Sequence, residues 1–222
     1  MAAALEQRVH GLLMSWRQVG QFCWFNMLTP RAAEAREFFG ALFGWTYDGD
    51  IVMVGPHRIG GLFEDTQALI GAMLLVESAD LIAARVRELG GKARAPFDIG
   101  GAGRLTVCHD PTGAEFDAWE PRALRGTDAD DGTLGAPARF ELVTTDVPRA
   151  SRFYSALFGW EPAAREGSGP RWVTYFAVRN ADQAERRVIA LGGSVIAPGE
   201  MRSPQGVPFS ITDLGVSQTG PS

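Results

Sequence analysis

Hydrophobic positions recur in the same arrangement twice along the chain. Residues 38–45 have the sequence FFGALFGW and residues 153–160 have FYSALFGW, at an offset of 115 (153 − 38). In each stretch the apolar residues follow the i, i+3, i+4, i+7 spacing of one helix face, and a glycine follows, as is common where a helix ends. Because the flanking residues also match, we predict two copies of one structural unit.

Alternating and helical patterns predict the elements of the first copy. A strand is expected over residues 21–28, and Thr29 is predicted to cap a helix that Gly44 ends. Two strands over 50–55 and 58–64 are expected to form a hairpin. The remaining predicted elements are a strand over 70–76, a helix over 79–89, and strands over 92–99, 104–110 and 115–120.

The second copy is predicted to be shortened. Its expected elements are a strand over 139–144, a helix over 148–158 capped by Asp146, a strand over 171–178, a helix over 181–191, and a strand from residue 194. The offset between the copies falls from 115 to 102 (191 − 89) between Trp160 and Trp172, where the first copy has its hairpin. The final strand is expected to be weak or absent. The unpaired sheet edges left by these losses predict a homodimer that covers them.

The predicted organisation has four parts. They are an N-terminal arm (residues 1–20), a first domain (21–121), a linker (122–137) and the shortened second domain (138–222). The linker is placed on its small, acidic and glycine-rich composition, which is typical of flexible connections.

Composition excludes several kinds of partner. The net charge is −5, and the 21 Lys and Arg residues are spread thinly, which disfavours nucleic acid as a ligand. No apolar run approaches the roughly 20 residues that a membrane span needs, and polar residues interrupt any signal-like core at the N-terminus. The sequence therefore predicts a soluble, cytoplasmic protein. Cys23 and Cys108 have no metal-ligand spacing and are expected to be reduced, packed thiols.

The motifs identify a family resemblance. In addition to the repeated FFGALFGW stretch, the chain has FDIG at residues 97–100, AGR at 102–104 and DPTG at 110–113. With these motifs it resembles the vicinal oxygen chelate superfamily, which includes glyoxalase I, extradiol dioxygenases and bleomycin-resistance proteins. Within it, the chain is most similar to the two-domain glyoxalase-like members labelled hydroxylases. Over residues 21–213 the resemblance implies an α+β fold of tandem βαβββ modules, whose mixed sheets curl around a cleft.

The resemblance also implies positions for metal ligands. Metal-dependent members carry ligands on the first and last strands of each module, which correspond here to Trp24, Gly71 and Asp117, with a fourth near Glu64. Zn²⁺, Ni²⁺ and Fe²⁺ need several convergent nitrogen or oxygen ligands, and Trp and Gly stand where imidazoles belong. We therefore expect no cofactor. A divalent metal held by the two carboxylates is the alternative.

The cleft would be aromatic, with one acid and one amide. Such a lining suits a flat or partly apolar small molecule, held by stacking and oriented by few polar groups. The predicted substrate-binding residues are Trp24, Leu28, Met73, Trp119 and Glu64. Alternatively, the two tryptophans simply fill the interior of the barrel.

Asp117 is the candidate acid–base residue. An acid between apolar neighbours in a buried strand needs either a partner or a function. In a metal-free enzyme, Asp117 would exchange a proton while Asn26 or Arg104 polarises an oxygen atom. An ion pair between Asp117 and Arg104 is the structural alternative.

Three functions are compatible with these residues. The first is a metal-independent lyase, isomerase or cyclase of specialised metabolism that acts on an aromatic or partly apolar metabolite. The second is a binding or resistance protein that sequesters such a molecule unchanged. The third is a metal-dependent glyoxalase or dioxygenase that uses Glu64 and Asp117.

Overall fold

A computed structural model of the protein describes residues 17–215, so most of the predicted arm lies outside the described residues. The elements of the first copy are β1 (Phe22–Thr29), α1 (Ala32–Phe43), β2 (Thr46–Asp48), β3 (Ile51–Val54), β4 (His57–Glu64), β5 (Leu69–Leu75), α2 (Ala79–Glu88), β6 (Lys92–Ala93), β7 (Phe97–Ile99), β8 (Gly103–His109) and β9 (Glu115–Pro121). Those of the second copy are β10 (Pro137–Thr144), α3 (Val147–Phe158), β11 (Ala164–Glu166), β12 (Arg171–Val178), α4 (Ala181–Ala190), β13 (Ser194–Ala197), β14 (Glu200–Arg202) and β15 (Pro208–Asp213).

Each copy forms one mixed sheet from two modules. The first sheet has the strand order β2-β3-β4-β1-β5-β9-β8-β6, with β7 paired to β8, and the second has the order β11-β10-β12-β15-β14-β13. In the first sheet the antiparallel pair β1–β5 joins the modules, and in the second sheet β10–β12 does so. Within modules, β1 is parallel to β4, and β5 is parallel to β9. The predicted α+β fold with curled mixed sheets is confirmed.

The second copy is shortened in one module only. Among the described residues no strands correspond to the β2–β3 hairpin, and β10 pairs directly with β11, in parallel, as β1 pairs with β4. The expectation that the last strand is weak or absent is wrong. Strand β15 is parallel to β12, as β9 is to β5. Shorter connections in the second copy place β15 so that it ends at Asp213, which is 103 residues after the turn residue Asp110 of the first copy.

The helix ends follow the sequence signals with one exception. Gly44 ends α1 in the left-handed conformation at φ 74°, and the Asp146 carboxylate accepts a hydrogen bond from the Arg149 amide at 3.0 Å at the start of α3. Thr29 does not cap α1, because it is the last residue of β1, and Arg31 occupies the N-cap position without a side-chain capping bond. The chain leaves the strand one residue before Pro30, so the helix begins two residues later than expected.

The repeated helices pack against both copies. Phe39 of α1 is fully buried, and its ring lies 5.2 Å from the ring of Phe209 in β15 of the other copy. Tyr154 of α3 is also fully buried, and its ring lies 5.8 Å from that of Phe116 in β9. Each of these helices therefore packs in a core to which both copies contribute residues. No helix between residues 17 and 215 is long and apolar enough to cross a membrane.

Candidate functional site

The other face of the first sheet carries the predicted site. Because side chains alternate along a strand, Trp24, Asn26 and Leu28 project from β1 on the face opposite to Phe25 and Met27, which pack beneath α1. The register places Asn26 between Gly61 of β4 and Gly71 of β5. The surface beside the Asn26 amide is open over Gly71, whereas the Phe63 ring lies over Gly61.

Asp117 projects from β9 onto the same surface. It pairs with Met73 of β5, and a Cβ atom built on Gly71 would lie 3.9 Å from Asp117 Oδ2. Asn26 Nδ2 donates to Asp117 Oδ2 over 3.5 Å, which is long for a hydrogen bond to a carboxylate. The site thus brings together the acid and the amide predicted from the sequence.

Burial changes the protonation of Asp117. Desolvation, followed by the negative charge of Glu115, raises the pKa of Asp117 to about 7, whereas the Asn26 hydrogen bond and the charge of Arg94 act in the opposite direction. A carboxyl group with such a pKa is present in both protonation states near neutral pH, which suits it to give or take a proton.

The aromatic residues of the predicted lining are packed. Trp24, Met73 and Trp119 are only 4%, 5% and 3% exposed, and they cluster with Leu105. The indole N–H of Trp119 donates to the backbone carbonyl of Leu124, in the predicted linker, at 2.8 Å. These side chains fill the interior, as the alternative interpretation held, and they form an apolar wall beside Asn26 and Asp117.

Two predicted residues lie elsewhere. Arg104 projects from the opposite face of β8, where its guanidinium binds Asp80 at 3.1 and 3.2 Å and Asp98 at 3.4 Å. The suggested ion pair between Arg104 and Asp117 is therefore wrong. Glu64 is exposed at the end of β4 and pairs with Thr29, on the face opposite to Asn26. Leu28, the other predicted substrate-binding residue, is half-buried on the same face as Asn26.

Two charged neighbours of Asp117 were not predicted. Glu115 lies two residues before Asp117 on the same strand face, so strand alternation could have identified it, and its Oε2 is 3.1 Å from His109 Nε2. Arg94 could not have been found in this way. It follows the short strand β6, and its backbone amide donates to the Val107 carbonyl, so only the sheet pairing brings it near Asp117.

The residues present do not fit a transition metal. Within residues 17–215 no group of three or more His, Cys, Asp or Glu side chains is arranged to hold an ion. Among the described residues, the polar side chains on the site face are those of Asp117, Asn26 and Glu115, and Glu115 is paired with His109 rather than turned toward Asp117 and Asn26. Such a donor set lacks the several nitrogen or carboxylate ligands that Zn²⁺ or Fe²⁺ requires.

The corresponding surface of the second sheet carries an ion-pair network. At the position equivalent to Asn26, the Glu141 carboxylate accepts from Tyr175 OH at 2.6 Å and from Arg165 Nε at 3.2 Å. The Arg139 guanidinium, at the position of Trp24, stacks 3.8 Å from the Tyr175 ring centroid. Because the polar groups of this surface are bonded to one another, it differs chemically from the Asp117 site.

Comparison with solved structures identifies the fold. The chain has the vicinal oxygen chelate fold, although no protein-family model matches it. Solved structures with this fold include the Mn(II)-bound glyoxalase from Novosphingobium aromaticivorans, with a TM-score of 0.61 and 13% identity, covering 88% of this chain and 82% of the other. Another is homoprotocatechuate 2,3-dioxygenase from Brevibacterium fuscum in its anaerobic substrate complex, with a TM-score of 0.62 and 14% identity, covering 95% and 85%.

A relative by sequence is the anthracycline biosynthesis protein DauV of Streptomyces sp. (strain C5). It is 27% identical over 258 aligned positions, which cover 88% of this chain and 94% of DauV. Because the alignment is longer than the 222 residues of this chain, DauV carries insertions relative to it.

Proposed function

We propose that the protein binds a flat, partly apolar metabolite on the Asp117 surface and exchanges a proton with it without a transition metal. The observation that supports this most directly is the half-buried Asp117 carboxyl group, whose pKa is raised to about 7 and whose hydrogen-bond partner is a single amide at 3.5 Å. A structural acid in this position would be expected to have an arginine partner. Arg104, the nearest candidate in the sequence pattern, is bound to Asp80 and Asp98 instead.

The shape and chemistry of the surface support this class of ligand. The open position over Gly71 admits a flat molecule close to the backbone, and the partly buried Phe63 ring, which lies over Gly61, offers apolar contact. DauV is named for anthracycline biosynthesis, and anthracyclines are fused-ring aromatic compounds. We infer that a related kind of ring system is the ligand of this chain.

The proposed chemistry uses two side chains. In its ionised form Asp117 Oδ2 takes a proton from the substrate, and in its protonated form Asp117 returns one to another atom. The Asn26 amide, which already points at Oδ2, holds the carboxyl group in place and can donate its second hydrogen to a developing oxyanion. The apolar wall keeps the local dielectric low, which strengthens both interactions.

Replacing Asp117 by asparagine is expected to remove proton exchange while retaining binding. We would incubate the protein with α-tetralone and with hydroxylated anthraquinones in D₂O, and follow deuterium incorporation and products by mass spectrometry. General acid–base groups typically contribute at least about 100-fold to rate, so Asp117→Asn should lose that factor. Binding measured by quenching of tryptophan fluorescence should change less than about threefold, because the size and shape of the side chain are preserved.

The exposed strand residue Asp48 offers a matched control. Asp48→Asn makes the same chemical change on the exposed strand β2 and should retain the wild-type exchange rate. Tight binding of these probes with no exchange and no product in the wild type would contradict the catalytic half of the proposal. That result would favour a protein that sequesters an aromatic metabolite unchanged.

Native mass spectrometry of freshly purified protein should give a homodimer of the 23.9 kDa chain with little metal. The outer edge of β11 is paired with no other strand among the described residues, which favours an edge covered by a second copy. Because the donor set around Asp117 is poor, metal should stay below about a tenth of an equivalent in protein purified without chelators. A stoichiometric metal ion would contradict the expected absence of a transition metal. A strictly monomeric mass at micromolar concentration would contradict the homodimer.

A further inference from the structure

A groove of about 420 Å³ lies between the two copies of the fold. It forms where the first halves of β5 and β12 approach each other, and β14 and β15 complete it. Its lining includes Leu69, Gly71 and Ala72 from the first copy and Trp172, Thr174 and Phe209 from the second. Since both copies contribute, neither copy would form this groove alone. Its volume lies within the range of small-molecule sites.

The inner part of the groove is apolar, with one unsatisfied hydroxyl group. Trp172, Met201 and Phe209 are buried there. Thr174 is only 3% exposed, and its Oγ1 has no hydrogen-bond partner among the described residues. Because an unpaired buried hydroxyl group is unfavourable, Thr174 is suited to bond a polar atom of a molecule in the groove.

The charged residues of the groove favour an anion. The Arg171 guanidinium donates to the backbone carbonyls of Ser168 and Gly169 at 3.4 and 3.0 Å, and that of Arg202 donates to the Gly206 carbonyl at 3.3 Å. These contacts are all with neutral carbonyl groups, so they leave the positive charge of both arginines uncompensated.

The two acids that line the groove are already bound to basic side chains. Glu200 Oε1 lies 2.5 Å from a terminal nitrogen of Arg165, and Glu115 Oε2 lies 3.1 Å from His109 Nε2. Arg165 therefore compensates the charge of Glu200, and the two groove arginines outnumber the remaining acid, Glu115.

We propose that this groove is a second binding site, specific for a small aromatic molecule that carries a carboxylate. Its ring system packs between Leu69, Trp172 and Phe209, its carboxylate binds Arg171 and Arg202 at the rim, and a further polar atom bonds the Thr174 hydroxyl. Charge-assisted bonds from guanidinium groups give such a carboxylate both affinity and orientation. The groove adjoins the Asp117 surface at Gly71 and Glu115, but the three groups proposed to bind the polar atoms of the ligand, Arg171, Arg202 and Thr174, belong to the second copy.

Titration calorimetry with 2-naphthoate and the uncharged 2-naphthamide tests this site. At low salt, we expect naphthoate to bind the wild-type protein about tenfold more tightly than naphthamide. Arg171→Gln and Arg202→Gln should each weaken naphthoate about fivefold and reduce its advantage over naphthamide. Thr174→Val, which keeps the shape of the side chain, should weaken naphthoate about threefold.

One control separates this site from the rest of the surface. Arg186→Gln removes an exposed arginine on α4 and should leave naphthoate affinity within about twofold. Equal thermal midpoints would show that the variants are folded. Equal affinities of naphthoate and naphthamide in every variant would overturn the proposal, as would a loss of binding in Asp117→Asn with none in the two groove arginine variants.

Discussion

Asp117→Asn is expected to remove a loss of stability that the wild-type protein undergoes between about pH 4 and pH 8. The folded-state pKa of Asp117 is raised from 3.8 to about 7, so in this interval the folded state keeps a proton that the unfolded state has released. Stability must then fall as the pH rises, and above pH 7 the folded state holds a buried, poorly paired charge. Between pH 4 and pH 8, the free energy of unfolding of Asp117→Asn relative to the wild type should rise by on the order of 3 kcal/mol.

Urea unfolding at several pH values measures this difference. The free energy of unfolding of the wild type, relative to Asp117→Asn, should decline between pH 4.5 and pH 8, because asparagine does not titrate. Asp48→Asn, on the exposed strand β2, should follow the wild-type profile at every pH. Parallel profiles for the wild type and Asp117→Asn would show that Asp117 is ordinarily ionised, and the proposed acid–base role would lose its main support.

Phe39→Ala is expected to lower the free energy of unfolding by about 3–5 kcal/mol. Phe39 is fully buried, and its ring lies 5.1 Å from Trp45 and 5.2 Å from Phe209. The truncation removes apolar contacts and leaves a cavity between α1 and the sheet of the other copy, which the packed surroundings cannot close. Chemical denaturation followed by tryptophan fluorescence would measure the loss.

Leu81→Ala is the matched control for this truncation. Leu81 lies on α2 and is 73% exposed, so its replacement should cost less than about 0.5 kcal/mol. If Phe39→Ala cost as little as Leu81→Ala, the repeated helix would not pack in the interior shared by the two copies. A separate unfolding transition for each copy would contradict the shared interior in a different way.

Patterns of neighbouring residues predicted most helices and strands, because helix spacing, helix capping and strand alternation depend on residues close together in the sequence. The i, i+3, i+4 spacing placed α1 and α3, and Gly44 and Asp146 marked helix ends through backbone conformation and capping. The prediction of the last strand was wrong because motif alignment measures distance along the chain. Connections in the second copy are shorter, so β15 ends where the first copy has its turn at Asp110.

The candidate site was only partly predictable for the same reason. Strand alternation correctly put Asn26 and Asp117 on faces that meet, because side chains two residues apart share a face. It could not decide whether Trp24 and Trp119 line an open cleft or fill the interior, since that depends on Leu124, in the predicted linker, packing against them. Nor could it show that Arg104 binds Asp80, which approaches from α2.

Periodicity and the chemistry of single residues were enough to predict the repeat, the strands of the first copy and the unusual position of Asp117. The tertiary structure alone decided which groups surround that acid and where the two copies meet. Desolvation of Asp117 depends on all atoms packed around it, and the groove containing Thr174 exists only where two sheets approach. Both are consequences of contacts between residues far apart in the chain, and the order of residues does not state which of these contacts form.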